Sequence, residues 1–144
     1  MLFTKYHIRC YCFLVFIGVI SSCERKVPDK YVWKEINVKA TAYNSVVRQT
    51  SANPFIAAWG DSLKPGMKSI AVSRDLIKLG LKHNTPIKIE GFDSIYLVND
   101  KMHRRKRNQI DIYMGTDVRK AKEWGVKHLK IKYGVLKDSL VEGK

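Results

Sequence analysis

The stretch Ile36-Asn37-Val38-Lys39-Ala40-Thr41-Ala42-Tyr43 alternates along its length. Ile36, Val38, Ala40 and Ala42 fall on one face of an extended chain, and Asn37, Lys39, Thr41 and Tyr43 on the other. A period of two marks a half-buried β-strand. Working outward, Ser69–Ser73 is a short strand candidate, and Pro86–Glu90 alternates through Ile87 and Ile89. Ser94–Asp100 is rich in β-formers, and Gly91-Phe92-Asp93 ahead of it reads as a hairpin turn. Gln109–Met114 puts Ile110 and Ile112 on one face and Gln109, Asp111 and Tyr113 on the other. Val126–Tyr133 completes the set.

One helix is well signalled: Val118, Ala121 and Trp124 recur at helical spacing, Thr116 can cap the start, and Gly125 suits the position after the end. Arg74–Gly80 reads as a second, short helical turn. Asn44–Lys68 contains Pro54, Gly60, Pro65 and Gly66 and reads as a long loop of the kind that borders a site. About six short strands with one or two short helices predict an all-β dominated fold, a small closed six-stranded barrel.

The 144-residue chain carries 27 Lys+Arg against 13 Asp+Glu, a formal charge of +14. Hydrophobic residues make up 45%, enough to exclude a disordered chain. No 20–50 residue period recurs, which excludes a repeat array. The basic balance admits nucleic acid, an anionic membrane surface or an anionic polymer as partner.

The N-terminus narrows that choice. Lys5 and Arg9 precede Cys10–Ile20, an uncharged and mostly apolar run too short to span a bilayer of about 30 Å. Ile20-Ser21-Ser22-Cys23 then resembles the lipobox of bacterial lipoproteins, in which the cysteine is lipidated and becomes the new N-terminus. Cleavage of an ordinary secretory peptide near the two serines is the alternative. Cys10 and Cys12 lie within the removed segment, so Cys23 alone would remain and no internal disulfide could form. Loss of residues 1–22 removes Lys5 and Arg9 and no acid, lowering +14 by two, to +12. An exported protein rarely meets nucleic acid, so cell-wall polymer and lipid head groups remain as partners. The expected organisation is a signal peptide over 1–22, a lipidated Cys23 and tether over 23–34, a barrel over 35–135 and a polar tail over 136–144.

Asp111 lies mid-strand between two isoleucines, where desolvation can raise a carboxyl pKa toward that of a general acid. An outward, solvated Asp fits the same pattern. Asp100 ends the preceding strand, and paired carboxylates serve glycoside cleavage. A plain strand-end residue is the other reading. Between them, Lys101–Arg107 holds five Lys/Arg in seven positions and no acid: a clamp for anionic polymer, or a solvated tip. Those cations would lower a neighbouring carboxyl pKa unless burial outweighs them. Trp59 could stack on a sugar face or belong to the core. His83, His103 and His128 lack metal-ligand spacing, so neither metal nor cofactor is expected.

Taken in order, these segments resemble the three-aspartate (3D) domain, also found at the core of membrane-bound lytic transglycosylase A. The resemblance runs from about Val38 to Tyr133. It is carried by Ala40-Thr41-Ala42-Tyr43, by Ala71-Val72 with Ile77 and Leu79-Gly80, by Asp100 and Asp111, by Ile110-Asp111-Ile112-Tyr113, and by Ala121 with Trp124-Gly125. It implies a double-psi β-barrel with an aspartate-lined groove. Three positions depart from it. Ser73 stands where the family has its first aspartate, with Asp75 two residues later; Lys101-Met102-His103 replaces Thr-Gly-Gly; and Gln109 replaces a basic residue, though Lys106 and Asn108 fit the family's pattern.

The resemblance implies non-hydrolytic cleavage of peptidoglycan glycan strands, giving a 1,6-anhydro sugar. Asp111 would act as acid and then base, supported by Asp100 and Asp75. Thr41, Tyr43, Trp59, Arg104, Arg105, Lys106 and Arg107 would line the substrate path. Glu24 after the lipidated cysteine points to a periplasm-facing anchor in the outer membrane. Two other classes stay open: a non-catalytic wall-binding lipoprotein, and a lipid-surface protein that adds basic residues to the Cys23 anchor.

Overall fold

A computed structural model describes residues 30–46 and 54–138. In order, the elements are β1 (Tyr31–Tyr43), β2 (Ser69–Val72), α1 (Arg74–Lys78), β3 (Pro86–Ile89), β4 (Ile95–Lys101), β5 (Gln109–Tyr113), α2 (Val118–Trp124) and β6 (Lys127–Leu136). The strands close into a barrel in the order β1-β5-β2-β4-β3-β6. β1 runs parallel to β5 and β2 parallel to β4, and the other pairings are antiparallel. Exchanging β1 with β4, β2 with β5 and β3 with β6 maps each pairing onto one of the same sense. Two interleaved three-strand halves therefore build the barrel, and the expected closed six-stranded, all-β dominated architecture is the one that forms.

Alternation explains what fills it. Ala40, Ile70, Val72, Val98, Ile110 and Ile112 are fully buried and occupy the inward positions of their strands. Leu76 of α1 packs with Leu81 against the same core. The cap of α2 is Asp117, not Thr116: its Oδ1 accepts the Lys120 amide at 3.0 Å. Asp is the better cap, since its carboxylate also meets the positive end of the helix.

The β1–β6 ladder is longer than the alternation indicates. It runs from Tyr31 opposite Leu136 to Ala40 opposite Lys127, so β1 takes in residues assigned to the tether. Lys34 breaks the pattern there by sharing the parity of Ile36 and Val38. Gly134 permits the close approach at this end. A Cβ on it would lie 2.9 Å from Pro86 Cγ and 2.9 Å from Tyr31 Cγ.

One irregularity positions the site. Ile70 faces Val98, but the next residue, Ala71, faces Asp100, so Asn99 is an extra residue in β4. By strict alternation Asp100 would share the inward direction of Tyr96 and Val98. The bulge reverses it, because an extra residue re-aims those that follow.

Gly134→Ala should cost about 1–3 kcal/mol through overpacking against two ring systems. Thermal unfolding should show a melting temperature several degrees lower; an unchanged value would contradict this account of the ladder.

Candidate functional site

Strand pairing places Thr41 beside Asp111, Asp111 beside Ala71, and Ala71 beside Asp100. Residues directly opposite in a sheet share a face. The four therefore form one row across β1, β5, β2 and β4, on the outside of the barrel. Two strand spacings separate the backbones of Asp111 and Asp100, about 10 Å. In that row only Ala71, itself buried, lies between them.

Asp111 is half-buried, and its pKa is pushed up to about 6. Burial is the main cause, and the negative charge of Asp100 adds to it. A hydrogen bond from Thr41 and the charge of Lys106 pull the other way and are outweighed. Thr41 Oγ1 donates to Asp111 Oδ1 at 2.9 Å, and Gln109 Nε2 donates to Thr41 Oγ1 at 2.9 Å.

Asp100 is tied to the loop over 54–68, which forms a flap on this face. Its Oδ1 accepts the Ala58 amide at 2.7 Å and the Lys101 amide at 2.8 Å. The flap has a small core of its own: Ala57 and Leu63 are buried with Tyr113, and Tyr43 and Met67 pack on them. Tyr43 lies over Tyr113 with ring centroids 5.4 Å apart. Its phenol pKa is raised, first by burial and then by Asp100 and Asp111, so it stays a proton donor. The Tyr43 and Ser69 hydroxyls are both buried and approach one another without aligning for a hydrogen bond.

The other expected residues are spread around this row. Asp75 sits in the first turn of α1, and its Oδ2 accepts the Asn108 amide at 2.8 Å. Burial pushes its carboxyl up, but the Asn108 amide, the Ser73 hydroxyl and Arg107 together hold it below its usual range. Asp75 thus anchors the basic loop and is not among the groups acting on Asp111. Within that loop Lys106 acts on Asp111, while Arg107 folds back onto the Arg104 carbonyl at 2.5 Å. Arg104 and Arg105 are exposed at its tip. Trp59 is half-buried and already has ring partners: His83 stacks at 5.2 Å, and the Lys101 ammonium lies 4.6 Å from the ring centre.

Cys23 and the expected signal segment lie outside the described residues. Among the described residues no three His, Cys, Asp or Glu side chains group as a metal site would require. Sequence reasoning gave Gln109, Ser69 and Ala71 no role at the site. Gln109 alone had a usable signal, its place two residues before Asp111 on the same strand face. No protein-family model matches the chain, and no curated protein matches it.

Burial raises the folded-state pKa of Asp111 above its unfolded value near 3.8. Protons therefore bind the folded state more tightly. The resulting stability is complete below about pH 4 and is lost as pH rises through about 6. Asp111→Asn removes that penalty, so it should stabilise the protein by up to roughly 2–3 kcal/mol above pH 7 and little at pH 4. Melting curves at the two pH values measure this, and an equal effect at both would refute the burial of the carboxyl.

Proposed function

We propose that the chain is an exported, lipid-anchored protein that cleaves peptidoglycan glycan strands, with Asp111 as the acid and base. The observation that carries this reading is a half-buried carboxyl on an outer face, with a pKa near 6, a second carboxylate two strands away in the same row and a buried phenol beside it. The ordered motifs resembling the 3D domain, and the lipobox-like Ile20-Ser21-Ser22-Cys23, support the substrate class and the compartment.

The chemistry needs one group in two states. Protonated Asp111 gives its proton to the glycosidic oxygen as the bond to the anomeric carbon breaks. The leaving sugar departs as an alcohol. The substrate's own 6-hydroxyl oxygen then bonds to that carbon, and its proton returns to Asp111. No water is consumed and the carboxyl ends as it began. A pKa near the working pH suits both steps. Asp100 contributes negative charge facing the developing positive charge on the sugar ring and holds the flap down through Ala58. Tyr43 supplies a hydrogen-bond donor between the carboxyls. Trp59 can meet a sugar only on ring surface that His83 and Lys101 leave uncovered.

A second reading is favoured by one feature. Arg104 and Arg105 are exposed, and neither forms an ion pair among the described residues. They suit a clamp on the carboxylates of wall stem peptides in a protein that binds without cleaving.

Incubation with purified glycan strands should release 1,6-anhydro products, with the rate falling about tenfold per unit above pH 6 as Asp111 ionises. Asp111→Asn should lower the rate by roughly 10²-fold or more. Retained sacculus binding with no anhydro product from the wild type would overturn the enzymatic reading. Under the binding reading, neutralising Arg104 and Arg105 should weaken sacculus binding and flatten its salt dependence. Unchanged binding would remove the clamp.

A further inference from the structure

We propose that Gln109 governs which protonation state Asp111 holds, acting through Thr41 as a positioning residue. The inference deepens the reading of Asp111 as acid and base. Gln109 is 4% exposed and lies on the same strand face as Asp111. Its amide donates to Thr41 Oγ1 at 2.9 Å, and Thr41 Oγ1 donates onward to Asp111 Oδ1 at 2.9 Å. A hydroxyl carries a single proton. With Gln109 holding one of its lone pairs, Thr41 can send that proton to Asp111 at 2.9 Å or to the Ile110 carbonyl at 3.4 Å. The shorter, charged acceptor wins. This arrangement solvates the ionised carboxylate.

The protonated carboxyl needs the reverse. Its O–H requires an acceptor, and Thr41 Oγ1 is within reach. The Thr41 proton then turns away, to the longer bond with the Ile110 carbonyl or toward Gln109. A half-turn of the Gln109 amide presents Oε1 where Nε2 stood, so the bond to Thr41 is kept with its direction reversed. A lysine, with donors only, favours the ionised state and leaves the protonated one the longer bond to Ile110. A glutamate, with acceptors only, serves the other. Glutamine serves both, which a carboxyl that gives and then regains a proton demands.

The groups facing Asp111 from its surroundings are Thr41 and Tyr43 on β1, Asp100 on β4 and Lys106 on the basic loop. Lys39 pairs with Gln109 in the β1–β5 register. Asp100 and Lys106 act on Asp111 through space with opposite signs, outside the hydrogen-bonded relay.

The test is a double-mutant cycle read by carboxyl ¹³C NMR titration of Asp111, on the full chain in detergent micelles. Gln109→Met and Thr41→Val should each raise the titration midpoint by about half a pH unit or more, since each weakens donation to the ionised form. The double variant should go no higher than Thr41→Val alone. Should Gln109→Met fail to fold, Gln109→Lys reads the same coupling: it should lower the midpoint, and by much less once Thr41 is Val. Additive shifts, or a Gln109→Met midpoint equal to the wild type's, would overturn the relay. The titration reads no glycan cleavage, so its failure and that of the enzymatic reading are told apart.

Discussion

The parallel pairing of β1 with β5 is the constraint on which the candidate site depends. Ala40 and Ile110 are fully buried neighbours in it, and Thr41 and Asp111 are the next pair along. Side chains alternate, so slipping the register by one residue would exchange inward and outward sets. Ile110 and Ile112 would then face solvent and Asp111 the core. The hydrophobic stabilisation of two isoleucines, about 1.5–3 kcal/mol each, opposes that slip. The core thus holds a carboxyl in a place it would not choose, partly out of water beside a hydroxyl donor.

Much of the barrel was legible because its strands are half-buried, and half-burial writes a period of two into the chain. The Gln109–Tyr113 strand is the clearest case, with Ile110 and Ile112 inward. The ends of β1 and β6 were not legible. They extend past the core, where Lys34 takes an inward parity, Leu136 is exposed and the pattern fades. Asp111 could be singled out as a carboxyl between apolar neighbours, but its outward direction alone allowed a solvated role. Asp100 was harder still. Only a β4 bulge turns it to the same face, and a bulge depends on pairing with β2, which no local pattern encodes. Gln109 stood out only as a departure from the resembled family, because a neutral amide carries no charge signal and its meaning comes from the strand beside it.

Charge and burial compete at this site, and burial prevails. The cations of the basic loop would lower the Asp111 pKa unless burial outweighed them. The tip of that loop points into solvent, and Arg107 satisfies backbone carbonyls. Lys106 remains to act on Asp111, and its pull is offset by desolvation and by Asp100. The same loop is pinned at its far end by Asp75 through the Asn108 amide. The loop's charge is thereby exposed to solvent and largely withheld from the carboxyl. That division lets a strongly cationic domain keep one acid near neutrality.

The central claim concerns a single proton. Direct titration of the Asp111 carboxyl in the wild-type chain, followed by its ¹³C shift, measures where that proton leaves. A midpoint close to 6 is the expected result. A midpoint below 4 would show a solvated, ionised carboxylate and would remove the acid on which the account rests.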